Sequence, residues 1–165
     1  MQTLRDDTYR RITDLMYSAV GLFFNDSKKP LVSSRLASRI ERLGLNGFED
    51  YVELISSPQD GGEFQIAVDL LTTNETYFFR ESAHFELLEK ELTANKPRSV
   101  AVWSAASSFG DEAYSTAMVL SDMEQQGRLC RDWQILGTDI SDRVLRSASA
   151  AIYPADRLRH VTPER

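Results

Sequence analysis

Two short apolar runs, Val100-Ala-Val-Trp103 and Trp133-Gln-Ile-Leu136, stand on either side of a helical pattern over 113–123. Such runs suit strands covered on both faces, and a helix between them makes the pair parallel. The first run feeds into Ser104-Ala-Ala-Ser-Ser-Phe-Gly-Asp-Glu112, and the second ends in Gly137-Thr-Asp139. Strand, small-residue turn, helix, strand, acid is the opening of a nucleotide-binding α/β unit. Small side chains let the backbone approach a ligand at the carboxyl end of a strand. Asp139, at the end of the next one, can accept hydrogen bonds from ribose hydroxyls. Glu112 sits where a pyrophosphate would rest in a dinucleotide fold, and a carboxylate there repels phosphate. That points away from NAD and towards S-adenosylmethionine, whose sulfonium is positive. Only Gly110 stands where a Gly-rich turn would carry several glycines. The alternative is a structural βαβ unit with Glu112 on its surface.

A second segment narrows the choice. Residues 71–81, Leu-Thr-Thr-Asn-Glu-Thr-Tyr-Phe-Phe-Arg-Glu, are too aromatic for a linker and too polar for a helix interior. They suit a buried loop whose hydroxyls and amides face something polar. The competing reading is a helix start, because Thr72 and Glu75 have capping-box spacing. A helix is expected from Ser82 to Leu92, with Phe85, Leu88 and Leu92 on one side.

Before this segment the pattern is helical throughout. Tyr9, Ile12, Leu15, Met16, Ala19 and Phe23 recur at helical spacing. A second helix, capped by Ser33 or Ser34, carries Leu36, Ile40 and Leu43 and closes at Gly44. Phe48, Tyr51, Val52 and Ile55 form a third, and Phe64, Val68 and Leu71 a fourth. On the second helix Arg35, Arg39 and Arg42 make a stripe about 100° round from the apolar one. A cationic ridge on a chain of net charge −6 suggests an acidic partner surface. A solvated charged face is the plain alternative.

The same net charge argues against nonspecific nucleic-acid binding. The single cysteine, Cys130, and two histidines, His84 and His160, offer neither a disulfide nor a metal cluster. No apolar run is long enough to span a bilayer, and the start is not a signal peptide. A cytoplasmic location is expected.

Residues 71–81 resemble the Leu-Thr-Thr-Asn-x-Thr-x-Phe-Phe-Arg-Glu signature of the chemotaxis receptor methyltransferases, the CheR family. Trp103-Ser-Ala-Ala-Ser-Ser-Phe-Gly-Asp-Glu-Ala-Tyr-Ser115 is similar to that family's Trp-Ser-Ala-Ala-x-Ser-x-Gly-Glu-Glu-Pro-Tyr-Ser motif. Gly137-Thr-Asp-Ile-Ser141, Ala151-Ile-Tyr153 and the basic second helix also match, in the same order.

The resemblance implies an all-α N-terminal domain, residues 1–75. The first part of a Rossmann-like S-adenosylmethionine-binding α/β domain follows, residues 76–165. It implies methyl transfer to glutamates on the cytoplasmic helices of methyl-accepting chemotaxis proteins, with S-adenosylhomocysteine as product. Asn74, Thr76, Arg80, Glu112 and Asp139 would line the cofactor, and Arg35, Arg39 and Arg42 would face the receptor. Arg80 is also the candidate catalytic residue. It either orients a substrate carboxylate through paired hydrogen bonds or binds the cofactor's own carboxylate. A surface pair with Glu81 is the third option. The substrate glutamate is already ionised at neutral pH, so the reaction is a matter of alignment.

There are departures. Asp111 replaces the motif's first Glu, Phe109 a Thr, and Ala113 a Pro; Glu41 replaces a residue often basic. The family continues well past the equivalent of Arg165. Two strands with their helices leave apolar surface and a strand edge open. The explanations are a fragment of a longer methyltransferase, a sheet completed by a second copy or another polypeptide, or a shortened protein. The last would be a non-catalytic recognition module built on the basic helix. The chain alone is expected to be catalytically impaired.

Overall fold

The computed structural model describes residues 3–162. The chain divides into two compact units, Met1–Thr73 and Asn74–Arg165. The first is all-helical and the second is α/β.

The first unit contains α1 (Asp6–Val20), α2 (Lys29–Arg42), α3 (Phe48–Ile55) and α4 (Glu63–Leu71). Asp6 and Asp7 in the first turn of α1 complement the positive end of the helix dipole. Tyr9, Ile12 and Met16 of α1 pack with Val32, Leu36 and Ile40 of α2, Phe48, Tyr51, Val52 and Ile55 of α3, and Ala67, Val68 and Leu71 of α4. Each fully buried aliphatic side chain in such a cluster contributes about 1.5–3 kcal/mol through removal from water.

Two expectations are corrected here. Phe23 does not join the core stripe. It lies beyond the end of α1, 76% exposed, edge-on to Tyr17. The second helix is not capped by Ser33 or Ser34. It starts at Lys29 with Pro30 in its first turn, where a missing N–H leaves no bond unmade.

The second unit contains α5 (Ser82–Asn95), β1 (Val100–Ala105), α6 (Asp111–Gln125), β2 (Trp133–Thr138) and α7 (Asp142–Ala150). The strands pair in parallel, with Trp103 opposite Leu136 and Ser104 opposite Gly137. Val119, Leu120 and Met123 of α6 join Val100 and Leu129 in the core, with Val102, Ile135, Phe85 and Leu92 packed against them.

The strands are covered on one face, not both. Side chains alternate across a strand, so Val100, Val102 and Ser104 turn to α6 while Trp103 turns away. Trp103 is 69% exposed and Leu136, its register partner, 62%.

The capping-box reading of Thr72 also fails. Thr72 ends α4, its Oγ1 donating to the Val68 carbonyl at 2.7 Å. Residues 72–81 contain no helix, and the next one begins only at Ser82.

Candidate functional site

Three pieces of the second unit converge where β1 and β2 end: residues 74–81, the turn between β1 and α6, and Asp139. The turn is tightly wound. Ala106, Ser108 and Gly110 all have positive φ, at 56°, 51° and 89°. Left-handed backbone at alanine and serine is uncommon and is held only where its surroundings impose it. At Gly110 a Cβ would meet Ala148 Cβ and the Tyr153 hydroxyl at 3.0 Å and Tyr114 Cε2 at 3.1 Å. At Gly137 a Cβ would lie 2.9 Å from Ser107 Oγ, so the turn presses directly on β2.

This winding aims a backbone amide at the acid. Ser108 N–H donates to Asp139 Oδ2 at 2.9 Å, and Ser141 N–H donates to Oδ1, also at 2.9 Å. Each oxygen keeps a lone pair, so the half-buried carboxylate is oriented but not used up. Ser108 Oγ donates to the Asn74 carbonyl at 3.3 Å. Ser108 therefore joins the two expected cofactor residues that lie furthest apart in the chain. Asn74 Nδ2 is the one buried side-chain donor among the described residues without a hydrogen-bond partner. A donor in that state forfeits about 1–3 kcal/mol, which an arriving acceptor would restore.

Glu112 lies in the first turn of α6, exposed, with Oε1 accepting from Ser104 Oγ at 2.7 Å. Beside it Asp111 is fully buried. Burial pushes the Asp111 carboxyl above the ordinary aspartate value, while Arg157 opposes the shift. Two carboxylates at one helix N-terminus make this a poor seat for pyrophosphate. The Thr76 carbonyl accepts from Arg157 Nη2 at 3.1 Å.

Arg80 stands apart. Its Nη1 donates to the Glu75 carbonyl at 3.1 Å, closing the loop on itself, and among the described residues it forms no ion pair. The hydrogen bonds thus link Asn74 with Asp139, tie Thr76 to the start of α6, and leave Arg80 exposed on the same loop.

The arginine stripe lies in the other unit and is largely engaged there. Arg35 Nη1 donates to the Leu71 and Thr72 carbonyls at 2.9 and 3.2 Å, capping the carboxyl end of α4. Arg39 Nε donates to Glu63 Oε1 at 2.8 Å, and the buried Tyr51 hydroxyl donates to the same oxygen at 2.9 Å. Arg42 is exposed, as is Lys28 just before α2.

Ser104, Ser108 and Arg157 were not among the expected site residues. Ser104 and Ser108 stand inside the 103–115 motif. Ser108 acts chiefly through its backbone N–H, which every residue but proline possesses. Arg157 has no local signal.

The chain is similar to known proteins along nearly all of its length. A family model described as CheR methyltransferase, all-alpha domain, matches residues 7–72. One described as CheR methyltransferase, SAM binding domain, matches 74–165. Over 161 residues the chain is 40% identical to a chemotaxis protein methyltransferase of Escherichia coli, covering 98% of this chain and 55% of that protein. It is 42% identical over 156 residues to a probable chemotaxis protein methyltransferase of Rhizobium etli, covering 90% and 58%. A chemotaxis protein methyltransferase of Borreliella burgdorferi is 32% identical over 160 residues, covering 92% and 56%. The chain spans about half the length of the curated relatives it matches.

Proposed function

The chain belongs to the CheR methyltransferase family, and on that premise we propose that it binds S-adenosylmethionine and serves methylation of glutamate side chains on chemoreceptors. The observation that carries the reading is the Asn74–Ser108–Asp139 linkage: an oriented carboxylate and an unsatisfied buried donor meet at the end of a parallel strand pair.

The residues fit such a ligand. Asp139 keeps free lone pairs for ribose hydroxyls. The close approach at Gly137 and Gly110 keeps bulk out of the turn. Glu112 places negative charge near the helix start, which favours a cation over a phosphate. The bound donor would supply an electrophilic methyl group on a positive sulfur. Asn74 and Asp139 hold and orient, and Glu112 supplies charge. Arg80, exposed on the loop, would exchange its bond to the Glu75 carbonyl for paired bonds to a carboxylate. A substrate glutamate would already be ionised at neutral pH, so this chain's residues need only align its oxygen and supply no base.

Receptor docking belongs to α2 in this reading, through Arg42 and Lys28, because Arg35 and Arg39 are held by their own unit. Reversing Arg42 tests this without disturbing the Arg39–Glu63 pair. Receptor affinity is expected to fall while S-adenosylhomocysteine affinity stays unchanged.

The decisive experiment incubates the protein with S-adenosylmethionine labelled in its methyl group and with membranes containing chemoreceptors. Label on the receptor that base releases as methanol identifies a carboxyl methyl ester. Base-stable label, or no affinity for S-adenosylhomocysteine by calorimetry, would refute the proposal.

A further inference from the structure

Arg157, in the 3₁₀ turn Ala155–Leu158 that follows α7, makes contacts that no motif announces. Its Nη2 lies 3.0 Å from both carboxylate oxygens of Asp111 and 3.1 Å from the Thr76 carbonyl. Its guanidinium sits over the Phe109 ring at 5.0 Å and the Tyr153 ring at 5.9 Å. Tyr153 in turn donates its hydroxyl to the Phe109 carbonyl. A partly buried arginine is thus fixed by a buried carboxylate on one side and two aromatic rings on the other.

The consequence falls on residues 74–81, whose two ends are held differently. The far end is anchored by buried Phe78, edge-on to Tyr153 at 4.9 Å, and by Phe79 N–H donating to Ser115 Oγ at 2.9 Å. The near end, with Asn74 and Thr76, has the 3.3 Å bond from Ser108 and the clamp by Arg157. Of those two, the charge-assisted bond is the stronger.

We propose that Arg157 is a positioning residue for the cofactor loop: one nitrogen joins the Thr76 carbonyl to the Asp111 carboxylate and fixes residues 74–77 against the turn between β1 and α6. The inference rests on the cofactor-site reading above for its functional meaning, while the clamp itself is tested independently of it.

The test compares Arg157→Met with Arg157→Lys. Both keep a long stem, but only lysine keeps a charge and donors at its end. Backbone nitrogen-15 relaxation reports the loop, and calorimetry with S-adenosylhomocysteine reports the site. In Arg157→Met, the order parameters of residues 75–77 are expected to fall from rigid-backbone values of about 0.85 to below about 0.6, while those of α6 and β1 stay unchanged. Affinity for S-adenosylhomocysteine is expected to fall about tenfold. Arg157→Lys is expected to keep the order parameters of the wild type and hold the affinity within about threefold of it.

If Arg157→Met loosens the whole unit, the double variant with Asp111→Asn carries the test, since it leaves no unpaired buried charge. Unchanged order parameters at residues 75–77 in the methionine variant, or in the double variant where that replaces it, overturn the proposal. So does identical behaviour of the lysine and methionine variants. Failure of the wild-type chain to bind S-adenosylhomocysteine would refute the cofactor reading instead, and the relaxation data would still decide the clamp.

Discussion

Asp139 and Glu112 are both carboxylates near one turn, yet their surroundings give them different work. Asp139 is oriented by two backbone amides, Glu112 by a single serine hydroxyl in a more exposed position. Replacing Asp139 by Ala removes the acceptor for ribose and frees Ser108 N–H. S-adenosylhomocysteine affinity is expected to fall about ten- to hundredfold, the value of one or two hydrogen bonds to a charged group, as titration calorimetry would show. Glu112→Gln should separate the two ligands, because only S-adenosylmethionine bears the positive sulfur. Its affinity is expected to drop about three- to tenfold, with that for S-adenosylhomocysteine nearly unchanged. Equal losses would show that Glu112 does not sense the sulfonium. Gly110→Ala would press a methyl against Ala148, Tyr153 and Tyr114 at a φ of 89°. Thermal or denaturant unfolding should register a loss of about 1–3 kcal/mol.

Between helices, the Arg39–Glu63–Tyr51 cluster ties α2, α3 and α4 together in the first unit. The hydrogen bond from Arg39 holds the Glu63 carboxyl below its ordinary value of 4.5, against the opposing effect of burial. Burial, reinforced by the bond to Glu63, pushes the Tyr51 phenol far up, so it stays a donor at any working pH. The folded-state value of Glu63 is depressed. Its contribution is therefore full above 4.5 and is lost as pH falls through the lowered value. Urea titrations across that range should show the first unit weakening with acid. Glu63→Gln should flatten the dependence and cost about 2–4 kcal/mol at neutral pH, because Arg39 is left half-buried without its partner. Two arginines of the α2 stripe, Arg35 and Arg39, are thus also bonded within their own unit. Spacing shows that three arginines share a side of a helix; it does not show what has already packed against that side.

Across the whole chain the two units differ in how much they bury. Among the described residues the first gathers fourteen into its buried cluster, the second five, with Trp103 and Leu136 left open on the far face of the sheet. Apolar burial dominates domain stability, so the second unit should unfold first. Both tryptophans, Trp103 and Trp133, belong to that unit. Tryptophan fluorescence should accordingly report a lower urea midpoint than helical circular dichroism, and coincident midpoints would show the units unfold as one. Local patterning alone determined the order of elements, the parallel strand pair and the place of Asp139 at a strand end, and the motif resemblance pointed to Asn74, because those signals lie within a few residues of one another. Tertiary structure alone decided that Arg35 and Arg39 serve their own unit, that Asn74 keeps an unmatched donor, and that Arg157 reaches Asp111 from 46 positions away and Thr76 from 81. Pairings over such separations depend on how the chain returns on itself, and no repeat in the residues between them records that path.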